Sequence, residues 1–149
     1  MMKLLAMGNI LMGDDGIALH LAGLLEERLN SLGIELIYGE TDIGYCITRI
    51  TEEDYIILLD AAEFGREPGE ISLQPFREMP AYRREFTSHC ISFLDLIHLY
   101  YPAIDGIVIK IQIAYLGFCY GPSDQLKNRS ENMIKQLLGV LLKIKCGRN

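Results

Sequence analysis

The 149-residue chain contains nothing approaching the run of ~18 apolar residues that a bilayer-spanning helix requires. Its first apolar stretch, residues 4–7, is cut short by Gly8-Asn9 and is followed by no small-residue cleavage signal, so no secretory leader is expected. Basic residues are scarce: 14 Lys and Arg face 20 Asp and Glu, a net charge of -6. That balance argues against a nucleic-acid binder, which must neutralise phosphates, and against docking on an anionic membrane. Closely spaced cysteines are missing as well. Cys46, Cys90, Cys119 and Cys146 form no C-x-x-C pair, which excludes a zinc knuckle and a disulfide framework and leaves four reduced thiols. A cytoplasmic protein is expected. Common catalytic signatures are also absent: there is no G-x-S-x-G, no H-E-x-x-H and no G-x-G-x-x-G.

What is present is a globular composition, 50% apolar and 23% charged, at a length typical of one domain over residues 1–149. A short apolar run over 3–7 ends at Gly8 and reads as a buried strand. Ile17, Leu21, Leu24, Leu25 and Leu29 then recur at helical spacing until Gly33. Further strands are expected over 34–38, 55–59, 70–73 and 107–116, the last from the alternation Ile107, Ile109, Ile111, Ile113. Helices are expected over 43–50, from Ser88 or His89 to Tyr100, and over 123–145. Strands alternating with helices predict an α/β three-layer sandwich, a twisted and mostly parallel sheet of about five strands covered on both faces.

Such sheets place their sites beyond the carboxyl ends of the strands. The 8–16 loop there has the G-x-x-x-x-G half of a phosphate loop, but Asp14 and Asp15 stand where Lys and Ser or Thr belong. Two carboxylates repel phosphate and suit a cation. Asp14 is the better candidate for a mere helix cap. Asp60 ends the apolar run Tyr55-Ile56-Ile57-Leu58-Leu59 and reads as a carboxylate at the rim of the site. His20 falls on a helix face and His98 near a helix end, whereas His89 sits at a loop-to-helix junction. Two carboxylates and an imidazole from three connections make an open donor set for zinc, nickel or manganese. Residues 65–86, with several arginines and prolines, read as a solvated loop in preference to a partner contact.

Gly8-Asn9-Ile10-Leu11-Met12-Gly13-Asp14-Asp15-Gly16 closely resembles the N-terminal signature of the hydrogenase maturation endopeptidases. Leu59-Asp60-Ala61-Ala62 is similar to that family's second acidic strand end, and Thr87-Ser88-His89 to its histidine segment. The resemblance implies a twisted sheet between helices and an endopeptidase that removes a C-terminal extension from the nickel-loaded precursor of a [NiFe]-hydrogenase large subunit. It also implies that Asp15, Asp60 and His89 are the catalytic and metal-binding positions. The metal would be nickel held by the substrate precursor, with another divalent ion an option in the isolated protein. The chain departs from the family in reading Tyr38-Gly39-Glu40-Thr41, which adds the acid Glu40, and in having Asp15 where Glu also occurs. A non-catalytic nickel-binding assembly factor on the same scaffold is the alternative.

Overall fold

Residues 1–79 and 88–148 are described by the computed structural model, with side chains at 1–79 and 93–148. Five strands, β1 (Met2–Met7), β2 (Ile34–Glu40), β3 (Tyr55–Ala62), β4 (Ile71–Pro75) and β5 (Asp105–Gln112), form one sheet in the order β2-β1-β3-β5-β4. The first four in that order run parallel, and β4 pairs antiparallel with β5. The helices are α1 (Ile17–Ser31), α2 (Ile43–Thr48), α3 (Ser88–Tyr100), α4 (Asp124–Lys127) and α5 (Ser130–Gly147). The expected α/β three-layer sandwich is the architecture found.

Period-two alternation in the three central strands divides the core into two layers. Leu4, Ala6, Ile57, Leu59, Ile107, Ile109 and Ile111 face α1 and α5, meeting Leu21, Leu25 and Leu29 of the one and Met133, Leu137 and Leu141 of the other. Leu5, Met7, Ile56, Leu58 and Val108 face the opposite way, against Cys46 of α2 and Phe93, Leu94 and Ile97 of α3. Because β1, β3 and β5 are buried on both faces, their sequences read as continuous apolar runs.

Element bounds depart from the sequence expectation chiefly in four places. β2 continues through Gly39 to Glu40. β3 continues two residues beyond Asp60, because Ala61 and Ala62 stay in register with Ile111 and Gln112 of β5. β5 stops at Gln112, short of the expected 116. The last helix is two pieces: Arg129 N–H bonds to Leu126 O and closes α4 before α5 begins. Within 65–86, the described part is not simply loop, since it contains β4 and a 3-10 turn over Phe76–Glu78; positions 80–86 lie outside the described residues.

At the amino end of the sheet, Asp54 gathers the Lys3 ammonium at 3.0 Å, the chain's amino group at 3.1 Å and the Thr51 N–H at 2.8 Å. Burial alone would raise its carboxyl pKa, but the bonds from Lys3, Thr51 and the amino group outweigh that and pull it from 3.8 to about 2. A folded pKa below the unfolded one stabilises the fold above the unfolded value and is lost as pH falls through the folded value. Asp54→Asn is therefore expected to cost about 2 kcal/mol near neutral pH. The gap between variant and wild type should close as urea melts are taken from pH 6 down towards pH 2. A gap of constant size across that range would refute the linkage.

Candidate functional site at the carboxyl edge

The chain leaves β1, crosses through α1 to β2 on one side, then returns through α2 to β3 on the other. The carboxyl ends of β1 and β3 therefore flank the point where strand order reverses, the crevice in which open α/β sheets hold ligands. Asp15 follows β1 and Asp60 lies near the end of β3, so the two acids straddle that point.

The turn carrying Asp15 is a 3-10 turn, Asp14–Gly16, packed against β3. Asp15 is half-buried, and its Oδ2 accepts the Asn9 N–H at 2.8 Å, which ties the turn to the strand end. Gly8 makes the approach feasible. Its φ is +132°, and a Cβ there would lie 2.0 Å from the Asp15 carbonyl oxygen. Gly13 has φ +62° and faces the Tyr115 ring, which a Cβ would meet at 2.9 Å.

The neighbouring acid does something different. Asp14 is fully buried and accepts three backbone N–H groups: Ala114 at 2.8 Å and Tyr115 at 2.7 Å on Oδ2, and Ser123 at 2.6 Å on Oδ1. It is a clamp between the first loop and the 113–123 loop. The expected helix cap is not found: Asp14 caps no helix, and α1 begins after Gly16 without a side-chain cap.

Asp60 is 1% exposed, and its Oδ1 accepts the Ala61 N–H at 2.9 Å. It lies inside β3, two residues from its end, on the face that carries α3. α3 packs on that face through Phe93, Leu94 and Ile97 and leads directly into the amino end of β5, where Ile104 N–H bonds to Tyr101 O. Its 13 residues span about 20 Å, so Ser88 and His89 at its start stand at the carboxyl edge, over the layer of Asp60. The His89 side chain, like that of Cys90, lies outside the described residues. Among the described residues no three His, Cys, Asp or Glu side chains cluster closely enough to hold a metal. Two carboxylates, one from the turn after β1 and one from β3, suit a divalent ion that arrives with further donors of its own.

The other histidines have local roles. His98 Nδ1–H donates to Leu94 O at 2.8 Å, and His20 Nε2 stands 3.3 Å from Ser130 Oγ. Burial first, then the nearby Lys127 charge, lowers the His20 pKa. Cys46 is buried against Met7, and burial pushes its thiol up to about 11; Cys119 and Cys146 are exposed thiols.

Three features of this edge escaped the sequence reading. Gln112, 2% exposed, organises the loop after β3. Its Oε1 accepts Phe64 N–H at 2.9 Å and Arg66 N–H at 3.1 Å, while its Nε2 donates to Glu63 at 2.8 Å. Lys110 stands beside Asp60 in the sheet register. Finally, the 10–13 and 115–121 segments are joined by bridges Met12↔Cys119 and Gly13↔Leu116, which display Leu11, Tyr115, Leu116, Phe118 and Tyr120 to solvent. Phe118 is 91% exposed. No charged residue interrupts 114–123, so the signal for this collar was its composition.

Comparison with known proteins places the chain in a family. A family model described as hydrogenase maturation protease (HycI) matches residues 19–140. The chain belongs to the hydrogenase maturation protease family. The matched span includes Asp60 and His89 but begins after Asp15. A putative hydrogenase maturation protease of Methanocaldococcus jannaschii is 27% identical over 143 residues, covering 91% of this chain and 93% of that one. The hydrogenase expression/formation protein HoxM of Azotobacter vinelandii is 28% identical over 99 residues, 64% of this chain, and the match spans about half of that relative's length (48%). In structure, the hydrogenase maturating endopeptidase HybD from E. coli superposes with a TM-score of 0.77 at 20% identity, covering 96% of this chain and 93% of that one. That likeness is one of fold. Among the described residues no helix is long and apolar enough to cross a membrane.

Proposed function

We propose that this chain is an endopeptidase of hydrogenase maturation, acting in the cytoplasm, that removes a C-terminal extension from the large-subunit precursor of a [NiFe] hydrogenase once nickel is in place. The observation that carries the reading is the position of Asp15 and Asp60 on either side of the strand-order reversal, with the start of α3 and His89 at the same edge, in a chain of this family. In this reading nickel belongs to the substrate, and Asp15, Asp60 and His89 contribute ligands to it. Bound there, the metal would polarise the scissile carbonyl, while a carboxylate of this chain takes the proton from the attacking water. The water adds to the carbonyl carbon, the C–N bond breaks, and the proton passes to the leaving amine.

Using the cargo as the recognition element gives the selectivity such a step needs. A 1,000-fold preference for loaded over empty precursor requires only ~4 kcal/mol of differential binding. The exposed apolar collar, one strand of which runs directly into the turn of Asp15, is consistent with a protein substrate, because patches of this kind are uncommon on monomers without partners.

The test is the intact mass of a co-expressed large-subunit precursor, nickel-loaded and nickel-free, before and after this protein is added. Loss of a C-terminal peptide from the loaded form alone is expected. Stable binding of loaded precursor with no change in mass would replace the endopeptidase with a non-catalytic nickel-binding assembly factor.

A further inference from the structure

A crevice of about 390 Å³ opens on the α1 side of Asp15, between α1, the end of β2 and the 115–123 loop. That is room enough for a bulky side chain. Its walls are Ile10, Leu19, Tyr38, Tyr120 and Pro122. Tyr38 and Tyr120 are exposed and belong to neither core layer, so the packing of the fold does not account for them. Glu40 and Lys127 also border the crevice, both exposed, and among the described residues no hydrogen bond or ion pair engages either side chain. Glu40 is moreover the only described residue other than glycine with a positive φ, +50°. Glycine adopts that conformation freely, so a side chain retained there at a conformational cost calls for a use. The crevice is continuous with the candidate site. Glu40 O accepts the Gly8 N–H at 2.8 Å, and Gly8 lies against Asp15. Ile10 in turn packs on Gly16, where a Cβ would meet the Ile10 Cα at 2.9 Å.

We propose that this crevice is a substrate subsite that receives a bulky apolar side chain of the precursor, from a residue flanking the bond that is cut. The proposal rests on the endopeptidase reading given above and extends it to the sequence of the substrate. Apolar walls select an apolar occupant, whose transfer from water supplies the affinity. The two rim charges select what that occupant is attached to. A carboxylate accepts a hydrogen bond and an ammonium donates one, a pair that a peptide unit answers with its own N–H and C=O. A free cation or anion would meet a like charge at the rim, and a free apolar molecule would answer neither group. The collar continues the same surface. Tyr120 belongs to it and also lines the crevice, so a polypeptide lying along Phe118 and Tyr120 reaches the crevice and the turn of Asp15 together. None of the walls is Asp15, Asp60 or His89, so the subsite acts on binding and not on proton transfer.

The experiment measures steady-state cleavage of the co-expressed, nickel-loaded precursor by the full-length protein. Tyr120→Ala and Tyr38→Ala, each removing one exposed wall, are expected to raise KM about tenfold while kcat stays within about twofold of wild type. Glu40→Gly keeps the carbonyl that holds Gly8 and relieves the positive φ. It is expected to raise KM and the melting temperature together, a combination that a purely structural role for Glu40 does not give. Precursors in which each apolar residue flanking the cut bond is changed to alanine identify the occupant. One of them should raise KM about tenfold with the wild-type protein and no further with Tyr120→Ala. Wild-type KM in all three protein variants, with cleavage intact, overturns the subsite and leaves the endopeptidase standing. Full additivity of Tyr120→Ala with every substitution in the precursor does the same. No cleavage of loaded precursor by the wild-type protein overturns the reading of the function, and this inference falls with it.

Discussion

Asp60→Asn is expected to lower the rate of cleavage of a loaded precursor by about 10²–10⁴-fold, while the strand ladder that carries the residue stays in place. The two halves of that expectation come from different atoms. Asparagine is nearly isosteric and retains an oxygen that can accept the Ala61 N–H now bonded to Asp60 Oδ1. The strand geometry is set by the ladder with β5 from Tyr55↔Asp105 to Ala62↔Gln112, which does not depend on this side chain. What is lost is charge, at a group 1% exposed, where water cannot replace it. A carboxylate can hold a divalent ion or take a proton from water, and an amide does both poorly. The loss should appear as lower kcat if Asp60 handles the proton, and as weaker retention of loaded precursor if it is a ligand. Complete cleavage by the variant, with nickel dependence unchanged, would falsify any role for the Asp60 charge.

The parts of this edge that could be read from sequence are those whose physics is local. β1, α1 and β3 were legible because an apolar run or a 3.6-residue period states the burial of each element without reference to any other. The position of Asp60 was legible to within two residues. The continuation of β3 through Ala61 and Ala62 was not, since small apolar residues suit a strand or a turn equally well. β5 shows the limit more clearly. Its alternation continues to Ile113, yet the ladder runs out after the Ile113 N–H bonds to Ala62 O, because the following N–H groups, from Ala114 and Tyr115, are taken by the Asp14 carboxylate. That competitor lies 100 residues away in the chain, and no window of sequence contains both partners. Lys110 was passed over for the same reason. A lone lysine in an apolar run acquires meaning only when the register places it beside Asp60.

Asp14→Ala carries the largest expected cost in stability, and its contrast with Asp15 separates two adjacent acids by function. Removing the Asp14 carboxylate leaves the N–H groups of Ala114, Tyr115 and Ser123 without their acceptor, at a site where the side chain itself is fully buried. Each lost acceptor costs about 1–3 kcal/mol, more for a charge-assisted bond, so a loss of roughly 3–6 kcal/mol is expected after partial solvation of the loop. For a chain of this size that corresponds to a fall in melting temperature on the order of 10 °C or more. Asp14→Asn should lie between, since its one oxygen can serve the pair on Oδ2 while its amide faces the Ser123 N–H donor to donor. Asp15→Asn, whose carboxylate is half-exposed and bonds one N–H, is expected to change stability by no more than about 1 kcal/mol and to reduce cleavage strongly instead. Urea melts and precursor cleavage on the same three variants decide the matter. Should Asp14→Ala melt like wild type, the 113–123 loop must be held by its bridges to residues 10–13 alone. If Asp15→Asn loses stability as heavily as Asp14→Ala, both acids serve the fold and the site loses one of its two described ligands.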